Sequence, residues 1–138
     1  MKTISAKMKS LTKSFGENEY EVLNYTGQEC ILIGQDKRNF VFDSEFGKLY
    51  VFISKDNPYS IKERYNDTEV EIIIDSSYKG KLYMSKSFGG RKMNADFPVK
   101  CLIFKNSDML IHIKYQILND LEDESYLTEA EIFIEIGG

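Results

Sequence analysis

Apolar side chains recur at every second position through much of the chain. Ile4, Ala6 and Met8 alternate with Thr3, Ser5, Lys7 and Lys9, and Val70, Ile72 and Ile74 alternate with Glu69, Glu71 and Asp75. A period of two puts successive side chains on opposite faces of a pleated backbone, so these runs predict half-buried antiparallel strands rather than helices. The same reading places strands at 3–9, 20–25, 29–34, 39–43, 48–54, 68–75, 81–87, 99–105, 109–118 and 131–136. Between them lie Gly16-Glu17-Asn18, Gln35-Asp36-Lys37-Arg38, Phe46-Gly47, Lys79-Gly80, Gly89-Gly90 and Asn106-Ser107-Asp108. These segments carry residues that reverse a chain cheaply, by tolerating positive φ or by bonding their own backbone. Residues 57–65 contain Pro58 and several charges and break the alternation, which predicts a connection with one helical turn from Ser60. Residues 120–128 are expected to form a long hairpin loop or a short helix.

Short strands with closely spaced turns predict an up-and-down sheet. About ten of them must roll up or split into two sheets, because an open meander leaves edges ready to pair with another chain. The expectation is an all-β single domain over residues 1–138, an antiparallel barrel of eight to ten strands with at most one or two short helices. Residues 49–53 and 132–134 are apolar on both faces. That predicts a filled interior and an outer surface covered by a loop, a short helix or a second copy of the chain, so a homodimer is an expectation.

Composition narrows the function classes. With 138 residues, 42% hydrophobic and 13% aromatic, the chain suits one core rather than two. A net charge of -4 provides no basic field for a phosphate backbone, so nucleic acid is not an expected partner. No Lys or Arg follows Lys114, whereas seven acids do. A solvated acidic connection is the plain reading, and docking on a basic protein through Asp120, Glu122, Asp123 and Glu124 is the functional one. Cys30 and Cys101 each sit in an apolar run without CxxC or metal spacing, which predicts buried free thiols and a reducing compartment. The first seven residues hold no apolar signal segment, and no stretch reaches the roughly 18–20 apolar residues of a membrane helix. A cytoplasmic protein without membrane attachment is expected.

Candidate chemistry is sparse. His112 is the single histidine, sharing a strand face with Lys114 and Gln116 opposite Met109, Ile111, Ile113, Tyr115 and Ile117, so it reads as a surface residue. A general base would need a cleft and an orienting partner, and the sequence identifies neither. Asp120, Glu122, Glu124 and Glu131 fall at positions 1, 3, 5 and 12 of an EF-hand loop, but Ser125 stands where the motif needs Gly, and a strand precedes it. No metal or cofactor is expected. Ser87-Phe88-Gly89-Gly90-Arg91-Lys92 lacks the GxxxxGK spacing of a phosphate loop and reads as a turn whose cations could meet an acidic group. Nine Tyr and nine Phe are dispersed without a basic stripe, as core and barrel lining.

The run Phe88-Gly89-Gly90-Arg91-Lys92-Met93-Asn94-Ala95-Asp96-Phe97, the acidic stretch 120–124, the closing Ile132-Phe133-Ile134 and the opening Ile4-Ser5-Ala6-Lys7-Met8-Lys9 follow a familiar order. In that order the chain resembles the YwiB-like family of small bacterial proteins. Phe104-Lys105-Asn106-Ser107-Asp108-Met109 stands where that pattern would have aromatic-x-Thr-x-x-Gly. The resemblance implies a calycin-type, lipocalin-like β-barrel and no particular activity. Barrels of that shape have a mouth and an interior for one small ligand. The function expected is therefore non-enzymatic binding of a small apolar or amphipathic molecule, with Tyr83, Arg91 and Lys92 at the mouth because they flank a glycine turn.

Overall fold

The computed structural model describes residues 2–45, 47–56, 59–75, 77–88, 90–119 and 126–137. Ten strands follow one another: β1 Lys2–Ser14, β2 Glu21–Ile31, β3 Lys37–Ser44, β4 Gly47–Ser54 and β5 Tyr59–Tyr65, then β6 Thr68–Ile74, β7 Lys79–Phe88, β8 Arg91–Asn106, β9 Leu110–Leu118 and β10 Tyr126–Ile136. Each pairs antiparallel with its sequence neighbours, and β1 closes on β10 with Ala6 opposite Ile136 and Ser14 opposite Thr128. The all-β barrel expected from the alternation is therefore the observed fold, with no helix among the described residues.

The strand map differs from the sequence reading in several places. β8 begins at Arg91 rather than Val99, with residues 91–98 paired to β7. Residues 32–34 fall outside any strand, and 21–31 form one strand, β2, which continues through Gly27. A Cβ there would lie 2.0 Å from the Val41 carbonyl oxygen, so this glycine serves close approach of β2 to β3 rather than a turn. Gly80 behaves in the same way: it belongs to β7, and a Cβ would meet the Ile73 carbonyl oxygen at 1.8 Å. The reversal falls instead at 75–78, where the Asp75 carboxylate accepts hydrogen bonds from the backbone N–H of Ser77 and Lys79 and Tyr78 takes φ 62°. Residues 59–65 form β5, not a helical turn at Ser60, paired from Tyr59 opposite Ile74 to Tyr65 opposite Thr68. Residues 126–128 belong to β10, while 120–125 lie outside the described residues.

Inward-facing side chains fill the middle of the barrel. Phe40, Phe42, Val51, Ile53, Ile74, Val99, Ile111, Ile113 and Ile134 are all under 2% exposed, drawn from six different strands. Cys101 also faces in at a bulge, where its thiol donates toward the Ile103 carbonyl at 3.3 Å and burial pushes its pKa up to about 11. Cys30 is only half-buried. The strands that are apolar on both faces are covered in part by their own chain: the Arg64 guanidinium lies 5.6 Å over the Phe52 ring, and His112 stacks on Phe133 at 4.2 Å. No helix among the described residues is long and apolar enough to cross a membrane.

Candidate functional site

The two ends of the barrel are built differently. At the end carrying the β2–β3 and β8–β9 connections, Arg38 points inward from β3 and grips Glu29 of β2 through two parallel bonds, Nε to Oε2 at 2.8 Å and Nη2 to Oε1 at 2.9 Å. Nη1 also donates to Asn106 Oδ1 and to the Ser107 carbonyl, each at 2.6 Å, and Asn106 Nδ2 donates to the Ser54 carbonyl at 3.1 Å. This clamp ties β2, β3, β4 and β8 together beneath the core. A hollow of about 650 Å³ lies against it, lined by Ile4, Ile31, Arg38, Lys55 and Met109. Of its charged groups, Glu29 and Arg38 satisfy one another and Lys55 donates to the Gln35 carbonyl.

At the opposite end the described residues leave the lumen open. A cavity of about 510 Å³ is lined by Leu23, Asn24 and Tyr25 of β2, Ser44, Glu45, Leu49, and Glu63 and Tyr65 of β5. Register explains the arrangement: Tyr25, Leu49 and Glu63 lie one step further toward the mouth than Gly27, Val51 and Ile61 on the same inward strand faces, and Tyr65 one step beyond Glu63. Tyr115, on the inward face of β9, comes near enough that the Glu63 carboxylate raises its pKa, after the larger effect of burial. Tyr25 is raised for the same reasons, burial first, then Glu63 and Tyr65. The Tyr65 hydroxyl accepts from Ser44 Oγ at 3.5 Å. Glu63 makes no hydrogen bond or ion pair among the described residues, and burial pushes its carboxyl above the usual range.

An unpaired carboxyl facing a barrel lumen has a consequence for stability. In the acidic window just above the ordinary carboxylate value, the folded protein keeps a proton on Glu63 that the unfolded chain has released, so stability falls as pH rises through the window. Glu63→Gln is expected to abolish that fall and to exceed the parent protein at neutral pH by roughly 1 kcal/mol. Urea unfolding of both proteins across about pH 4 to 8 checks it; parallel curves would refute it.

The residues singled out from the sequence are scattered. Tyr83 is not at the mouth: it lies on the outer face, between Glu71 and Asp96 in register, in a groove of about 540 Å³. The glutamates of that groove are committed, Glu69 to Lys62 and Arg64 and Glu71 to Lys37. Arg91 and Lys92 open β8 after a tight turn with Gly90 at φ 84° and are both exposed. Arg91 shares the inward strand face of Met93, Ala95 and Phe97, whereas Lys92 belongs to the outer face of Asn94 and Asp96, so the pair does not act on one point. Asp120, Glu122, Asp123 and Glu124 lie outside the described residues. Of the acids after Lys114, Glu129 accepts hydrogen bonds from the Tyr20 hydroxyl and Gln116, which hold its pKa down, and Glu131 sits 2.6 Å from His112 Nε2. Glu131 is thus the orienting partner the sequence could not supply, but the pair lies on the outer sheet face, with one side of the imidazole stacked on Phe133. No group of metal-binding side chains occurs among the described residues.

Sequence reasoning missed Glu63, Tyr25, Tyr65 and Tyr115 as a group. They come from three strands, and Glu63 lay in a segment read as a connection.

No family model and no curated protein matches the chain. A solved structure does: the ywiB protein from Bacillus subtilis, with a TM-score of 0.61 and 15% sequence identity, over 99% of this chain and 92% of that chain. At that identity the likeness establishes the barrel fold, in agreement with the resemblance to YwiB-like proteins, and nothing about activity.

Proposed function

We propose that this barrel is a non-enzymatic binding protein that holds one small amphipathic molecule in the open end of its lumen. The observation that carries the reading is the difference between the ends: the Arg38 end is tied across by the Arg38–Glu29 clamp, whereas at the other a cup of about 510 Å³ is lined by Leu23, Leu49, Tyr25, Tyr65 and Glu63. That volume is in the range that encloses a small organic molecule. The apolar part would lie against Leu23, Leu49 and the tyrosine rings, with the polar part at Glu63. A calycin-type relationship would fit, since barrels of that shape carry ligands at an open end. Two free cysteines, one of them buried, are in keeping with a reducing, cytoplasmic setting.

Nile red, a neutral amphipathic dye, tests the cup directly. Leu23 lines the cavity and is 45% exposed, so a larger ring can be placed there without disturbing the core. The protein is expected to bind one equivalent of dye, and Leu23→Trp to weaken binding by roughly tenfold or more, because the larger ring occupies space in the cup that the dye would fill. Equal binding by the two proteins, or none by the parent, would refute the reading.

A further inference from the structure

We infer that the head group accepted by the cup is an organic cation, an ammonium on a short apolar body, seated between Glu63 and the rings of Tyr25 and Tyr65. The inference rests on the cup being the ligand site and goes further by naming the ligand's charge. Three observations converge on it.

The first is that the carboxyl is placed without a partner. Elsewhere on this barrel inward or half-buried acids are matched: Glu29 by Arg38, Glu69 by Lys62 and Arg64, Glu129 by Tyr20 and Gln116. Glu63 alone among these faces the lumen with no hydrogen bond or ion pair, and its charge is disfavoured by burial. Glu63 is half-buried, with its carboxylate reaching the water of the cup, and a cation entering from outside would supply the counter-charge it lacks.

The second is the company it keeps. Tyr25 of β2 and Tyr65 of β5 line the same cavity as Glu63, Tyr115 of β9 lies within reach of its charge, and Glu45 stands at the rim. Aromatic faces carry negative charge density and attract cations, most strongly where water is excluded, and tyrosine cages with an acid are the usual means of holding an alkylated ammonium. A neutral head would gain hydrogen bonds here but no charge attraction, and an anion would be repelled by both glutamates. The third is shape: apolar Leu23 and Leu49 border the polar group, so a short hydrocarbon body has somewhere to lie.

Isothermal titration calorimetry with octyltrimethylammonium, octanol and octanoate separates the charge from the apolar body, because all three carry the same chain. The ammonium is expected to bind about tenfold or more tighter than octanol, with octanoate the weakest. Glu63→Gln is expected to remove that preference while leaving octanol binding within about twofold, since the apolar walls are unchanged. If octanol binds and is blocked by Leu23→Trp, yet the ammonium shows no advantage or keeps its advantage in Glu63→Gln, the cation inference fails and the cup stands. If none of the three probes binds, both fail.

Discussion

Arg38→Ala is expected to destabilise the protein by about 3–5 kcal/mol, the cost of leaving a buried charge without its partner. The Arg38 and Glu29 side chains are only 11% and 8% exposed, so the substitution strands the carboxylate in a largely dehydrated place. Truncation also removes the donor to Asn106 Oδ1 and to the Ser107 carbonyl, at a place where β3 meets the β8–β9 connection. Lysine is no remedy, because a point charge cannot reproduce the planar two-pronged grip on Glu29. The paired change Arg38→Met with Glu29→Met should recover most of the loss, since removing both charges leaves an apolar site next to Ile4 and Ile136. Equilibrium urea unfolding of the single and double variants decides the matter. A single-variant loss below about 1 kcal/mol would mean that the clamp is no more than an exposed ion pair.

Phe42→Ala should be comparably severe, about 3–5 kcal/mol, through loss of burial and an unfilled cavity. Its ring stacks on Phe40, with centroids 6.0 Å apart and planes 6° from parallel, and meets Tyr25 at 6.5 Å. In register Phe42 faces Gly27 on one side and Leu49 on the other. Gly27 brings no side chain and cannot acquire one without meeting the Val41 carbonyl, so no neighbour on that side can collapse into the gap. Since Tyr25 and Leu49 also line the cup, Phe42 is part of its floor. Phe52→Ala supplies the internal control: that ring is only half-buried on the outer face, under Arg64, and should cost less than half as much. Equal losses at the two positions would show that the lumen is not the tightly packed side.

These expectations bear on how much the chain announces in advance. Strands such as β6 and β9 were legible because Val70, Ile72 and Ile74, or Ile111 and Ile113, repeat at a period of two that only a pleated, one-sided burial requires. β5 was not, and the reason is instructive. Tyr59, Ile61 and Tyr65 keep the inward series, but Glu63 interrupts it with a charge at a position every neighbouring strand fills with carbon. Local pattern reading treats a polar residue at a core position as evidence against a strand. Folded proteins tolerate that inconsistency chiefly where the residue has work to do. Gly27 and Gly80 misled in the opposite direction: glycine reads as a turn, whereas here it permits backbone approach between strands.

What the amino-acid order determined by itself is the pleat, the antiparallel succession of short strands and the need to close them, because alternation and turn chemistry act within a few residues of one another. Which end of the barrel would carry the Arg38 clamp and which the Glu63 cup was decided only by the tertiary structure. Arg38 finds Glu29 within nine positions but Asn106 across 68, and Glu63 meets Tyr25 and Tyr115 only once β1 has closed on β10. Charges and rings so far apart along the chain have no mutual energy until the sheet curls, and that is why the candidate site belongs to the fold and not to any motif.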